Sequence, residues 1–257
     1  MATLTSLGHR ALPEMSGQPV ARFCCRALTV WGRSWLKESS GWEHVLPAAD
    51  PFILAPNHAS RAEALLLPAL LAMHRSGRQV HFIADWNFLL WPLVGSLIRM
   101  NDPIIVTRKS ARPRWLNALK PWFAAAESPY QAAHRRLLAG QSLGIFPEGT
   151  VNRREQHLLR GHQGVARLSL ETGAPVVPVG LRRSGSARRP FGLETMIVRI
   201  GRPLQPERTF VGRTAPAAAV RQWHEQTMQA IADLSGKTWS PLNPKNNYAS
   251  PDSNLAN

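Results

Sequence analysis

A histidine placed straight after an apolar run, with a carboxylate five positions on, is a pattern with chemistry in it. The stretch APNHASRAEALLL (55–67) supplies it as His58 and Glu63. If the chain turns into a helix near Ser60, Glu63 lies in the first turn and its side chain can reach back to the imidazole. A carboxylate there fixes the tautomer and stabilises the imidazolium, leaving the other ring nitrogen to take a proton. The pair is then a Ser–His–Asp triad without its serine, and a hydroxyl of the substrate is the nucleophile. The competing reading is structural. Ser60 and Glu63 also form the S-x-x-E pattern of a capping box, and spacing alone favours the cap.

FPEGT (146–150) is the second such stretch. Glu148 at a strand end can bond a hydroxyl, and Gly149 permits a tight turn or a close backbone approach to a ligand. A plain strand-to-loop turn explains the same residues. Arg108, Lys109, Arg112 and Arg114 form a basic cluster. Arginine grips phosphate in a bidentate fork, although most such clusters are solvated surface. LRRSGSARRP (181–190) reads as an exposed basic loop able to meet lipid head groups or an acidic carrier.

The elements that must position these residues alternate. Apolar runs at 51–56, 79–84, 103–108, 142–146, 175–181 and 194–204 read as strands. Residues 21–38, 60–74 (kinked at Pro68), 87–100, 113–139 (broken near ESPY), 161–173 and 215–236 read as helical. The alternation predicts an α/β fold with a mainly parallel mixed sheet flanked by helices. Ligands in such sheets bind beyond the carboxyl ends of the strands. NHASRAE, TRKSARPR and PEGTVNRR all fall at such ends. Residues 1–20 read as a flexible leader and 237–257 as a disordered tail. Residues 21–40 read as an amphipathic helix, with Phe23, Leu28, Trp31 and Trp35 on one side and basic residues at the edges. Such a helix either lies on a membrane interface or packs on the domain.

Composition narrows the partners. The 257-residue chain carries 31 Lys and Arg against 16 Asp and Glu, a net +15. That balance draws it to polyanions: nucleic acid, anionic membranes, phosphorylated ligands or acidic proteins. No helix-turn-helix, zinc-finger or RNA-binding signature is present, which argues against nucleic acid. The adjacent Cys24 and Cys25 suit neither an ordinary disulfide nor a metal-ligand spacing and point to a reducing setting. No run reaches the ~20 apolar residues that span a bilayer.

Taken in order, these stretches resemble the glycerolipid acyltransferase family typified by 1-acylglycerol-3-phosphate acyltransferase. Its N-H-x4-D motif is similar to NHASRAE, with Glu63 in place of aspartate. Its second motif, a glycine, an apolar spacer and an arginine, resembles the run from Gly95 to Arg108. FPEGTVNR resembles F-P-E-G-T-R-S, with Val151 where arginine is usual, and VVPVGL resembles the V-P-V strand. The likeness covers about residues 40–205, within a domain of 41–236.

The resemblance implies that His58 is the general base and Glu63 its orienting carboxylate. It also implies that Asn57, Arg108, Glu148, Gly149, Thr150 and Arg153 bind the acceptor, with Arg153 or Arg154 standing in for the arginine expected at 151. It implies acyl transfer from acyl-CoA or an acyl carrier protein thioester to a lysophospholipid, with neither metal nor redox cofactor. An anionic membrane surface is the further partner implied, at the cytoplasmic face, with peripheral or monotopic attachment. The departures at Glu63 and Val151 leave two alternatives open: a different acceptor such as a lyso-aminolipid, or a non-catalytic lipid binder of the same fold.

Overall fold

Short apolar runs rich in Val, Ile and Leu become strands because their side chains are buried on both faces of a parallel sheet. The computed structural model describes residues 19–32, 36–60, 63–90, 95, 98–99, 101–107, 110–111, 113–189 and 193–244. Seven strands lie among them: β1 (Leu36–Ser40), β2 (Ile53–Pro56), β3 (His81–Asp85), β4 (Ile104–Val106), β5 (Leu143–Gly144), β6 (Val176–Arg189) and β7 (Leu193–Ile200). The α-helices are α1 (Pro19–Gly32), α2 (Glu63–His74), α3 (Pro129–Leu138), α4 (Gly164–Thr172) and α5 (Ala217–Ser235). The expected α/β fold with a mainly parallel mixed sheet flanked by helices is the one observed. The chain divides into two compact units, one of residues 1–32, 45–52 and 65–144, the other of 33–44, 53–64 and 145–257.

In the first unit the strand order is β5-β3-β4, parallel throughout, with His81 level with Leu143 and Ile83 level with Ile104. Gly144 is required there, because a Cβ would sit 2.4 Å from the Phe82 ring. Most of α2 belongs to this unit. Its side chains from Leu66 to Met73 are all buried, as suits a helix apolar on every side, and it runs through Pro68 as one helix. Ser128 and Gln131 close a reciprocal capping box at the start of α3.

A buried ion pair fixes this unit's polar centre. Fully buried Arg75 donates to both carboxylate oxygens of Asp50 at 2.7 and 2.8 Å, and to the carbonyls of Val45 and Arg78. Asp50 also accepts from Ser142 Oγ and Arg78 Nε, so every lone pair facing the interior is used.

In the second unit the order is β1-β7-β6-β2. β2 runs parallel to β6 with Ile53 level with Val176, β1 runs parallel to β7, and β6 and β7 form an antiparallel hairpin. The end of α5 crosses β6 at Gly180, where a Cβ would meet the Leu234 backbone at 2.2 Å. Ala166 and Leu170 of α4 pack on Val220 of α5, with Trp223 against them.

Several expectations need correction. The helix expected over 21–38 ends at Gly32, and Leu36–Ser40 form β1, which finds its backbone partners on β7 rather than locally. Residues 181–189 are not a loop but the outer half of β6, paired to β7 from Leu181–Val198 out to Arg189–Leu193. The helical segments expected over 113–139, broken near ESPY, are a 3-10 helix over Arg114–Phe123 that runs through Pro121 and then α3. The tail is ordered through residue 244: Thr238 bridges His157, and Asn243 Nδ2 donates to Leu158 O at 2.8 Å.

Candidate active site

β2 delivers the chain to the site, and Asn57 fixes where it leaves the strand. Its backbone N–H still bonds Val179 O on β6 at 3.3 Å. Its side chain then continues the ladder, donating to Leu181 O at 2.9 Å and accepting from Leu181 N at 2.6 Å. Asn57 is completely buried, so both ends of its amide serve the backbone and none is presented to an acceptor. The expected binding role becomes one of holding the next residue.

That residue, His58, is gripped on both sides of its backbone. Its N–H donates to Glu148 Oε1 at 2.9 Å, and its carbonyl accepts from Asn152 N–H at 2.6 Å. Its ring stacks on Phe146 with centroids 4.3 Å apart and 29° between planes. Nδ1 lies 3.2 Å from Glu63 Oε1. The ring keeps a partly open edge, 14% accessible, while the Glu63 side chain is fully buried. With Nδ1 engaged by the carboxylate, Nε2 is the nitrogen left to move a proton.

The choice between cap and His partner dissolves in the geometry. Glu63 Oε1 accepts the Ser60 N–H, one half of a capping box, and the same oxygen faces His58 Nδ1. The bond from Ser60 N–H helps hold the carboxylate facing the imidazole. Oε2 is buried and has no hydrogen-bond partner among the described residues. Burial pushes the Glu63 carboxyl above the usual range, against the pull of the His58 and Ser60 bonds.

Glu148 is likewise buried, and all its visible bonds go to the protein. Oε1 takes His58 N–H, while Oε2 takes Asn152 Nδ2 at 2.7 Å and Leu159 N at 2.8 Å. Burial raises its carboxyl too. It braces the His58 loop and does not offer an oxygen to an acceptor. Gly149 adopts φ +64, the left-handed region, and a Cβ there would come within 2.8 Å of the His162 ring. Gly149 and Arg153 are exposed and Thr150 is half-buried, so these three remain on the accessible side of the loop. Arg108, with Lys109 and Arg112, lies outside the described residues.

The sequence reading missed three contributors. Phe146 and Asn152 sit inside the FPEGTVN run itself, and an asparagine beside the turn was the available signal. Asn152 is almost fully buried, and its Oδ1 also accepts Arg154 N at 2.9 Å. Lys237 carried no signal, since it opens the presumed tail. Its Nζ donates to Arg154 O at 2.7 Å. Burial lowers its ammonium pKa, while attraction to Glu148 and Glu63 opposes that. The His58 side of the loop thus holds two buried carboxylates with one half-buried cation near them. Among the described residues no group of His, Cys, Asp or Glu is arranged to hold a metal ion.

Such a site offers a positioned base with a carboxylate behind it. Residues 40–182 match the family model described as Acyltransferase. The chain is 24% identical over 159 residues to the 1-acyl-sn-glycerol-3-phosphate acyltransferase of Bacillus subtilis (strain 168), covering 62% of this chain and 69% of that one. Its fold is similar to the crystal structure of the 1-acyl-sn-glycerophosphate (LPA) acyltransferase PlsC from Thermotoga maritima. There the TM-score is 0.54 at 22% identity, covering 86% of this chain and 80% of that one. With the family model spanning more than half its length and the His58–Glu63 pair inside the matched region, the chain belongs to the acyltransferase family.

Proposed function

We propose that the protein transfers a fatty acyl group from a thioester, carried by coenzyme A or acyl carrier protein, to the free hydroxyl of a lysophospholipid such as 1-acylglycerol-3-phosphate. The single observation that carries this reading is the 3.2 Å contact between His58 Nδ1 and Glu63 Oε1, on a ring partly open to solvent. The likeness to the Bacillus subtilis protein supports the choice of acceptor class.

Nε2 of His58 takes the proton as the acceptor oxygen forms its bond to the thioester carbonyl carbon. The C–S bond then breaks, and the departing sulfur receives that proton from the imidazolium. Glu63 supports the imidazolium in between, where its charge counts most because it is shielded from water. A thioester is already activated, so the step needs no metal or redox group. The accessible side of the 149–153 turn, with Thr150 and Arg153, is where the acceptor's phosphate and glycerol would bind.

Membrane attachment at the cytoplasmic face belongs to the same reading. No helix of the described residues is long and apolar enough to cross a membrane. On α1, Phe23, Ala27 and Val30 are exposed at helical spacing, an apolar stripe suited to lying in a bilayer interface. The deciding experiment is a screen of purified protein against several lysolipids, lyso-aminolipids included, with acyl-CoA and acyl carrier protein donors in parallel. Product with a lysophospholipid and either donor upholds the proposal, and no acyl transfer with any pair defeats it.

A further inference from the structure

Residues 237–244 lie where a disordered tail was expected, yet they close over the turn that holds Glu148. α5 ends at Ser235, and Gly236, at φ +68, bends the chain away from the helix axis. Lys237 N–H still bonds Ala232 O at 3.1 Å, which fixes the exit direction. The segment then bonds residues 154–160 repeatedly. Lys237 Nζ donates to Arg154 O at 2.7 Å, Thr238 N–H to Gln156 O at 2.8 Å, and Leu158 N–H to Thr238 O at 2.9 Å. Asn243 Nδ2 donates to Leu158 O at 2.8 Å, and Arg160 N–H to Pro244 O at 3.0 Å.

The same turn reaches the site with its other polar groups. Asn152 Nδ2 donates to Glu148 Oε2 and to His157 O, at 2.7 and 2.8 Å, and Leu159 N–H meets that carboxylate oxygen at 2.8 Å. Glu148 Oε1 in turn holds the His58 N–H. A continuous run of bonds thus joins the segment after α5 to the backbone of the base. Such a network keeps one geometry because a displaced member leaves buried groups unpaired.

Lys237 adds a charge to this frame. Glu63 and Glu148 both touch His58, one at its ring and one at its backbone, and both are buried, which makes ionisation costly for each. The half-buried Lys237 ammonium attracts both carboxylates. Of the other charges near it, Glu155 and Arg183 face each other at 3.5 Å and offset one another. His157 Nδ1 meets Thr238 Oγ1 at 2.6 Å, His162 lies against Gly149, Arg154 is half-buried on the turn, and Arg153 and Arg160 are exposed.

We propose that Lys237, set in place by the bonds of residues 237–244, is a positioning residue for acyl transfer, holding Glu63 in its ionised form behind His58. This rests on the reading of His58 and Glu63 as base and supporting carboxylate.

The test compares the full chain with Lys237→Met, which keeps the length of the side chain without its charge, and with Lys237→Gln, which keeps a donor for Arg154 O without the charge. Steady-state acyl transfer to a lysophospholipid is followed over a pH series, and the His58 ring is followed by NMR over the same range. In both variants kcat should fall about 10-fold or more with KM within about twofold, because the charge supports the imidazolium and not the bound acceptor. The acid limb of kcat should move to higher pH, since a carboxyl deprived of its cation ionises later. Agreement of the two variants excludes a folding defect in either as the cause. A kcat within about twofold of wild type in Lys237→Gln, or a fall in kcat with the acid limb unmoved, overturns the proposal. The NMR measurement needs no turnover: the His58–Glu63 pair should take up its proton at higher pH in both variants, and an unmoved titration overturns the proposal even where the rate falls. If no donor and lysolipid give product while the titration moves as stated, Lys237 stands as the counter-charge of the pair and the acyl-transfer reading falls.

Discussion

Replacing Glu63 by glutamine separates what this residue does for folding from what it does for catalysis. The amide keeps a carbonyl oxygen able to accept Ser60 N–H and His58 Nδ1–H, so cap and tautomer survive. What disappears is the negative charge 3.2 Å from a ring that must become an imidazolium. At that separation and an effective dielectric near 20, Coulomb's law gives about 5 kcal/mol, a ceiling on the lost transition-state support. Turnover should therefore fall roughly 10³-fold, since each ~1.4 kcal/mol is tenfold.

Stability should move the other way. Burial raises the Glu63 carboxyl pKa in the folded state, so its favourable contribution is complete below the usual glutamate range and is lost as pH rises through the raised value. Above that raised value the ionised carboxylate, with Oε2 unpartnered among the described residues, is a cost, and there Glu63→Gln should unfold at the same or a higher temperature than wild type. Its advantage should grow as pH rises from the usual glutamate range toward neutrality. The assays are steady-state acyl transfer and thermal unfolding at a series of pH values. Turnover within about tenfold of wild type, or a clear drop in unfolding temperature above the raised value, would refute the assignment of Glu63 as a buried charge kept for the imidazolium.

Asn152→Ala removes the link between Glu148 Oε2 and the His58 loop; a displaced base should cost on the order of 10² in turnover, and the buried groups left without its amide should lower stability by about 1–3 kcal/mol, measured by the same pair of assays. Gly149→Ala forces a side chain into φ +64 against His162 and should cost about 1–2 kcal/mol, read as a fall of about 2–4 °C in unfolding temperature per kcal/mol. Arg75→Ala leaves buried Asp50 with Arg78 as its one remaining charged partner beside the Ser142 hydroxyl and should destabilise by about 3–5 kcal/mol in denaturant unfolding.

How much of this could be read in the sequence differs from residue to residue. The strands β2 and β3 announce themselves by apolar runs, and the His58–Glu63 spacing marks the base. Whether Glu63 capped or catalysed was not legible, because both uses demand one and the same placement of Oε1. Asn57 and Glu148 looked like ligands for an acceptor. Their partners are backbone groups at Leu181, His58 and Leu159, up to 124 residues away, and no local pattern encodes those meetings. β1 escaped for the same reason: LKESS has little strand character of its own and pairs because β7 offers a parallel edge. The outer half of β6 looked like a loop because its serines, glycine and arginines give no apolar alternation, while hairpin pairing with β7 holds it extended.

His58→Ala is the most direct trial of the base assigned here. The side chain can be removed without touching the backbone bonds from His58 N–H to Glu148 or from Asn152 N–H to His58 O, so the loop should keep its path. Acyl transfer to a lysophospholipid should fall at least ~10³-fold, by loss of the positioned base and of the imidazolium that Glu63 supports, with thermal unfolding still cooperative. Turnover near the wild-type value in this folded variant would contradict the assignment of His58 as the general base.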